Sequence, residues 1–181
     1  MLLAIFFIII SYLLGSIPFG LIIGKLSGKD LRKHGSGNIG STNAVRTLGY
    51  KLGALSALLD ILKGALVILI IYLLEALDVW HNPLVYDGES LYALYGLAAV
   101  VGHCFPIYIR FKGGKAVATS LGVLLAVTPY SALAAVIAFI ICVLLTGYVS
   151  LSSTVATLSA LVVNFTVYSF IYDKIYNSLI I

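Results

Sequence analysis

Long apolar runs separated by short charged loops constrain the fold of this chain more than any other feature. The run from Leu2 to Gly24 contains no charged residue, and a second uncharged stretch extends from Ala116 to Thr146. About 20 apolar residues are enough to cross the roughly 30 Å hydrocarbon core of a bilayer. Only 10% of the residues are charged, against about 25% in soluble domains, so the chain belongs in a membrane.

The apolar runs predict an all-α polytopic membrane protein with about six transmembrane helices. Thr128-Pro129 interrupts the longest run, because proline ends a preceding helix, and divides it into a short helix and an ordinary one. The predicted helices are Leu2–Gly24, Leu52–Leu74, Leu91–Ile109, the two parts of Ala116–Thr146, and Leu151–Tyr172. The length suits one helical bundle, so residues 1–181 are expected to form a single membrane-embedded domain.

Basic residues are concentrated in alternate loops. The loop from Lys25 to Lys51 contains six Lys or Arg residues and one acidic residue, the next loop is acidic, and the loop from Arg110 to Lys115 is basic again. Basic loops face the cytoplasm, so we expect an outward N-terminus and both basic loops on the cytoplasmic face. These few charges, confined to short loops, do not indicate a nucleic-acid partner.

The first basic loop contains the segment GSGNIGSTNAVRTLG, from Gly35 to Gly49. Glycines allow close backbone approach, successive amides can bind an anion, and a helix start adds its positive dipole end. The segment therefore predicts phosphate binding, with Arg46 as a bidentate clamp. A flexible polar loop is the alternative, because glycine and asparagine favour turns in any case. The predicted ligands are Ser36, Gly37, Asn38, Gly40, Thr42, Asn43 and Arg46.

The second basic loop, RFKGGKAVATS, holds two glycines between two lysines at a predicted helix start. It is not a nucleotide-binding Walker A loop, because Ala116 occupies the position where that motif needs Ser or Thr for Mg²⁺. Its lysines alone are explained by anchoring at the cytoplasmic face, but the glycine pair between them is not. We therefore expect a second phosphate site formed by Lys112, Gly113, Gly114 and Lys115.

Two charged residues and one histidine lie within the apolar runs. Asp60 and Lys63 are three positions apart and share a helix face; such intramembrane charges usually face a bundle interior or a polar cavity. They either neutralise each other between helices or support the site, and we expect the supporting role. His103 lies one turn before the second loop and is a candidate general base. Cys104 and Cys142 lie in apolar segments and indicate no metal site.

A third polar segment, TGYVSLSST, runs from Thr146 to Thr154 on the same predicted face. Its hydroxyl groups could bind a ligand, or they could cap the helix that begins near Leu151. We expect His103, Lys115 and Ser150 to take part in catalysis.

The strings SGNIGSTNAVRTLG, LDILKG, VGHCFPIYIRFKGGKAVATSLGV and YVSLSS together resemble the bacterial acyl-phosphate:glycerol-3-phosphate acyltransferases of the PlsY type. The resemblance runs from LLGSIPFG in the first helix to about Thr157. It implies a multi-pass enzyme of the bacterial inner membrane, typically with seven helices. It further implies transfer of a fatty acyl group from acyl phosphate to the 1-position of glycerol 3-phosphate, giving lysophosphatidic acid, the first step of phospholipid synthesis, without a cofactor.

The same resemblance suggests further features. Either the departing phosphate or His103 accepts the proton, the acyl chain lies in membrane lipid, and the soluble enzyme that makes acyl phosphate is a candidate partner. Two departures from the family pattern stand out. Gly147 occupies a position that is commonly basic, and residues 1–181 are expected to lack the seventh helix and a His/Arg/Asn-rich C-terminal segment.

Two other functions compete with the acyltransferase. A transporter of a phosphorylated solute also uses broken helices and anion sites, but its site would lie near the middle of the membrane rather than on one face. An inactive remnant that only binds its ligands is the other alternative, because the C-terminal segment is expected to be missing.

Overall fold

The computed structural model describes residues 1–86 and 89–179, without the side chains of residues 85, 86, 89, 90, 168 and 171–179. Over this part of the chain the structure is almost wholly helical, and the only strands are the two-residue antiparallel pair β1 (Val85–Tyr86) and β2 (Glu89–Ser90). The helices are α1 (Leu2–Gly15), α2 (Phe19–Leu26), α3 (Ser41–Leu48), α4 (Tyr50–Ala76), α5 (Tyr92–Cys104), α6 (Val117–Val127), α7 (Pro129–Thr146) and α8 (Val149–Leu179). Short 3-10 turns cover Leu31–Lys33 and Ile107–Ile109.

Five segments of the described chain are long and apolar enough to cross a membrane, which confirms a multi-pass, all-α membrane protein. They are Leu2–Leu26, Tyr50–Ala76, Tyr92–Ile109, Pro129–Thr146 and Val149–Val167. The remaining predicted helix, the first part of Ala116–Thr146, corresponds to α6. Its 11 residues extend only about 16 Å, roughly half of the hydrocarbon thickness. Pro129, the first residue of α7, ends it early, as the sequence predicted.

The first predicted span is not one continuous helix, contrary to the expectation for Leu2–Gly24. Pro18 has no N–H to donate to the carbonyl of Leu14, and the N–H of Ile17 donates to that carbonyl instead, at 3.1 Å. The span therefore consists of α1 and α2 separated by Ile17 and Pro18. The apolar run continues through the break, so hydropathy alone does not reveal it.

The chain forms two compact units, residues 1–127 and residues 128–181. In the first unit, α1 packs on α5 and α4 packs on α6 at positions where a side chain would not fit. A Cβ atom added to Gly15 would lie 2.1 Å from the carbonyl oxygen of Ala99, and one added to Gly64 would lie 2.1 Å from that of Thr119. Small residues at membrane helix interfaces allow this close approach.

The second unit is the antiparallel pair α7 and α8, joined at Gly147 and Tyr148. Gly147 has a φ of 71° and its N–H donates to the carbonyl of Val143, so it ends α7 in the left-handed conformation that glycine adopts without strain. This geometry explains why glycine, rather than a basic residue, fits this position here. Whether the two units make up one domain stays a prediction.

Candidate functional site

The loop between α2 and α3 is organised by Asn43, which is only 2% exposed. Its side-chain oxygen accepts the N–H of Ser36 at 3.0 Å. Its side-chain nitrogen lies within 2.8–3.1 Å of the carbonyl oxygens of Leu31, His34 and Asn38. Asn43 therefore holds the loop together from inside, and its predicted contact with phosphate stays a prediction.

Two residues of this loop carry a fixed ion pair. The Arg32 guanidinium donates through Nε to Asp30 Oδ1 at 3.0 Å and through Nη2 to Oδ2 at 2.6 Å. The backbone N–H of Arg32 also donates to Oδ1, so Asp30 caps the turn that follows it. Hydrogen bonding from Arg32 holds the pKa of Asp30 well below its usual range, and Asp30 in turn raises the pKa of Arg32. The guanidinium is thereby held in one orientation.

The second loop is packed against the end of α5. The N–H of Gly114 donates to the carbonyl of His103 at 3.1 Å. A Cβ atom at Gly113 would lie 2.0 Å from that same carbonyl oxygen, and one at Gly114 would lie 2.3 Å from His103 Nε2. The glycine pair is therefore required by its contact with α5, a reason that the sequence did not reveal.

The backbone around this glycine pair is strained. Arg110, Phe111 and Ala116 all have positive φ values, of 57°, 61° and 56°. Residues other than glycine rarely adopt this left-handed conformation, and residues held in it cluster at functional sites. Asp78, outside both loops, has a φ of 56° as well, so the strain supports a functional role for the second loop only together with the cleft that the loop lines.

The two glycine-rich loops line one open cleft of about 350 Å³. The residues that line it are Arg32, Ser36, Gly37, Asn38, Ile39, Lys112 and Gly113. This shared cleft confirms that the two loops lie on the same face of the first unit. Each loop leads directly into a helix, α3 or α6, whose N-terminal end carries a partial positive charge.

Backbone N–H groups add to the positive character of the cleft. Within the ranges that the structure describes, the N–H groups of Asn38, Ile39 and Gly113 donate to no protein acceptor. Unpaired amides together with the cations Arg32 and Lys112 form the kind of surface that binds phosphate oxygens. The arrangement is suited to binding an anionic group.

The structure separates the predicted phosphate ligands into two groups. Ser36, Gly37, Asn38, Lys112 and Gly113 line the cleft. Among the described residues, the other candidates lie beside the cleft lining rather than in it. These are Gly40, Thr42, Asn43, Arg46, Gly114 and Lys115.

Some of the residues outside the lining have a visible alternative role or an exposed position. Gly40 donates its N–H to the side-chain oxygen of Asn38 at 2.8 Å, which shapes the loop. Thr42, Arg46 and Lys115 are exposed. Their contacts with a ligand stay predictions.

Arg32 and Ile39 line the cleft although the sequence motifs did not predict them as ligands. In the sequence, Arg32 is only one of the basic residues that set the orientation. One sequence signal could have placed Arg32 in an ordered turn. Asp30 lies two positions earlier, and aspartate side chains often accept a hydrogen bond from the backbone two residues on. The place of Arg32 in the same cleft as Lys112 depends on the folded loops and is not visible in the sequence.

The intramembrane polar residues form one buried cluster in the first unit. Asp60 Oδ1 lies 2.8 Å from Lys63 Nζ and 3.7 Å from His103 Nδ1. Thr119 Oγ1 lies 3.2 Å from the same His103 nitrogen. The predicted supporting pair therefore lies next to His103, which in turn contacts the second loop.

Ser150 lies in the second unit, in the first turn of α8. Its carbonyl accepts hydrogen bonds from the hydroxyls of Ser153 and Thr154, at 2.8 and 3.2 Å. The residue itself is exposed, and its catalytic role stays a prediction.

Comparison with known proteins identifies relatives of this chain. A family profile described as "Glycerol-3-phosphate acyltransferase" matches residues 5–181. A glycerol-3-phosphate acyltransferase of Bacillus subtilis (strain 168) is 48% identical over 162 residues, which cover 89% of this chain and 78% of the relative. The corresponding protein of Bacillus velezensis is 52% identical over 147 residues, covering 81% of this chain and 70% of the relative.

Two solved structures are also similar to this chain. The crystal structure of PlsY (YgiH), an integral membrane glycerol 3-phosphate acyltransferase, in its glycerol 3-phosphate form has a TM-score of 0.79 and 44% identity, covering 91% of this chain and 77% of that one. Its lysophosphatidic acid form has a TM-score of 0.78 and 43% identity, covering 91% and 76%. The motifs in both glycine-rich loops, the helical membrane fold and the match over nearly all of the sequence agree: this chain belongs to the glycerol-3-phosphate acyltransferase family.

Proposed function

We propose that this chain is an acyl-phosphate:glycerol-3-phosphate O-acyltransferase of the bacterial cytoplasmic membrane. The observation that carries this proposal is the single cleft shared by two glycine-rich basic loops. Membership of the family supports glycerol 3-phosphate as the acyl acceptor. A second phosphate group, on the acyl donor, matches the second loop, since each loop offers a cation and unpaired backbone amides.

The proposed reaction is a direct acyl transfer. The 1-hydroxyl oxygen of glycerol 3-phosphate attacks the carbonyl carbon of acyl phosphate, and the bond from that carbon to the phosphate oxygen breaks. The electron pair leaves with the phosphate, so the products are 1-acyl-glycerol 3-phosphate and inorganic phosphate. Acyl phosphate is already an activated mixed anhydride, so no covalent enzyme intermediate is needed. Arg32, Lys112 and the loop amides hold the two phosphates in position and stabilise the developing charge.

The departing phosphate is the proposed acceptor of the hydroxyl proton. His103, the alternative base, is only 5% exposed, and its Nε2 faces the backbone of Gly114. A general base must come within hydrogen-bond distance of the proton that it removes. The burial of His103 therefore supports the phosphate as base.

Three further residues are proposed to contribute to substrate binding or catalysis: Lys115, Arg46 and Ser150. Lys115 and Arg46 are exposed cations that follow the two glycine-rich segments, and they add positive charge that attracts two anionic substrates. The acyl chain of the donor stays in the surrounding membrane lipid. The soluble enzyme that makes acyl phosphate is the proposed source of this donor.

The test uses the purified chain in detergent with glycerol 3-phosphate and either palmitoyl phosphate or palmitoyl-CoA as donor. We expect lysophosphatidic acid and inorganic phosphate from palmitoyl phosphate only. Detergent solution has no compartments, so product formation excludes a simple transporter. Equal rates from the two donors would refute the donor assignment, and no product from either would refute the acyltransferase in favour of a binding or transport protein.

A further inference from the structure

A buried polar network lies beneath the second glycine-rich loop. Asp60, His103 and Thr119 are 2%, 5% and 0% exposed. Asp60 and Thr119 both approach the same atom, His103 Nδ1, at 3.7 and 3.2 Å. Thr119 of α6 therefore fixes one edge of the imidazole ring by a hydrogen bond, while Asp60 of α4 places a carboxylate beside the same edge, beyond hydrogen-bond distance.

The other edge of the ring supports the glycine pair. His103 Nε2 faces Gly114 so closely that a Cβ atom there would lie 2.3 Å away. The carbonyl of His103 also accepts the Gly114 N–H at 3.1 Å. Gly113, the preceding residue, lines the cleft. A rotation of the ring would therefore move the backbone that contacts the ligand.

Lys63 anchors this network to the broken first span. Its ammonium group donates to the carbonyl of Ile17 at 2.8 Å, at the interruption between α1 and α2, and lies 5.6 Å from the centre of the Phe19 ring. A buried ion pair adds little net stability, since an apolar pair of similar size often does as well. Charges within a membrane span are costly. A role beyond stability accounts for the presence of the Asp60–Lys63 pair.

We propose that Thr119, with the carboxylate of Asp60 beside it, is a positioning residue that holds His103 and, through it, the phosphate-binding turn at Gly113 and Gly114. His103 then supports the backbone of the second loop from the membrane side rather than acting as a base. This inference rests on the proposed function for the identity of the anions. It depends on the contacts that run from Asp60 and Thr119 through His103 to Gly114.

The test compares Thr119→Val, which removes the hydroxyl at nearly constant shape, with Thr119→Ser, which keeps the hydroxyl. We expect Thr119→Val to raise KM for at least one of the two phosphate substrates about tenfold, the effect of losing one buried hydrogen bond, with kcat changed less than about threefold. Thr119→Ser should restore KM to within about twofold of wild type. Ser120→Ala, a hydroxyl removal one residue along, is the matched control and should leave both constants unchanged.

Unfolding temperatures in detergent keep a binding effect separate from a folding effect. Thr119→Val should unfold within a few degrees of wild type, and glycerol 3-phosphate should raise its unfolding temperature less than it raises that of wild type. The proposal is overturned if Thr119→Val has wild-type KM values, if Thr119→Ser is as impaired as Thr119→Val, or if kcat alone falls. If wild type makes no lysophosphatidic acid, the proposed function fails; a weaker stabilisation of Thr119→Val by glycerol 3-phosphate would still support the positioning role.

Discussion

At the scale of single residues, Asn43 illustrates how a buried polar side chain can serve a binding loop without facing the ligand. Its amide contacts the backbone of Ser36, Leu31, His34 and Asn38. Gly35 adopts a φ of 57°, and a Cβ atom there would lie 2.2 Å from Asn43 Oδ1. The loop conformation therefore depends on one amide and on one glycine that makes room for it.

We predict that Asn43→Ala lowers both stability and activity. The substitution removes three hydrogen bonds to backbone carbonyls and leaves the Ser36 N–H without its acceptor, and each lost hydrogen bond costs about 0.5–1.5 kcal/mol. The unfolding temperature of the purified protein in detergent measures this loss. Thr42→Ala, on the exposed side of the same helix, serves as the control and should unfold like wild type. An Asn43→Ala protein as stable as Thr42→Ala would contradict the organising role of Asn43.

The pair formed by Asp30 and Arg32 has a defined pH dependence. Because Arg32 holds the pKa of Asp30 below its usual range, the contribution of the pair to stability is present above the unfolded pKa of Asp30, about 3.9. It is lost only as the pH falls through the lower pKa of the folded protein. Near neutral pH the guanidinium of Arg32 therefore stays fixed at the cleft.

At the scale of secondary-structure elements, close contacts between helices determine where the polar cluster lies. Gly122 of α6 packs on α4 so closely that a Cβ atom would lie 1.9 Å from the carbonyl oxygen of Ile61. Thr119 is one turn earlier on the same helix and faces His103. The fit between α4 and α6 thus sets the distance between Asp60 and Thr119.

We predict that Gly122→Ala destabilises the protein by about 1–3 kcal/mol, because one added methyl group forces two helix backbones apart. Thermal unfolding in detergent measures the change. Leu125→Ala, on an exposed position of the same helix (47% exposed), is the control and should have a much smaller effect. If the two variants unfold at the same temperature, the packing account of α4 and α6 is wrong.

The sequence predicted the elements better than the contacts between them. Apolar length fixes the membrane helices, and Pro129 reveals the short α6, because both signals are local. The break at Pro18 was missed since the residues on both sides are equally apolar. Thr119 was missed because a hydroxyl in an apolar helix has no sequence signal of its own; only folding brings it to His103.

For the site, too, the sequence predicted the motifs better than the contacts they make. The glycine pair at Gly113 and Gly114 was expected in a phosphate-binding loop; Gly113 lines the cleft, but the closest contact of the pair is with His103 rather than an open cradle. Arg32 could be recognised as basic, but its place in the same cleft as Lys112 depends on tertiary structure. Motifs indicate which loops matter, whereas the atoms that face the ligand are determined by packing.

At the scale of the whole molecule, two consecutive membrane spans bring the loops together. The first loop precedes α4, and the second follows α5 and the turn Ile107–Ile109. Because two consecutive spans cross the membrane in opposite directions, a chain that leaves one face returns to it. Loops more than 50 residues apart in the sequence therefore line one cleft, as the proposed reaction between two phosphate-bearing substrates requires.

The most direct test of this account follows radiolabelled glycerol 3-phosphate into lipid, with palmitoyl phosphate as donor and purified protein in detergent. Three proteins are compared: wild type, Lys112→Gln in the cleft, and Lys33→Gln, an exposed lysine outside the cleft lining. We predict that Lys112→Gln lowers kcat/KM roughly 10- to 100-fold, the effect of losing a charged hydrogen bond of about 1.5–3 kcal/mol, while Lys33→Gln stays within about twofold of wild type. Equal losses in both variants, or none in Lys112→Gln, would contradict the claim that the shared cleft is where acyl transfer takes place.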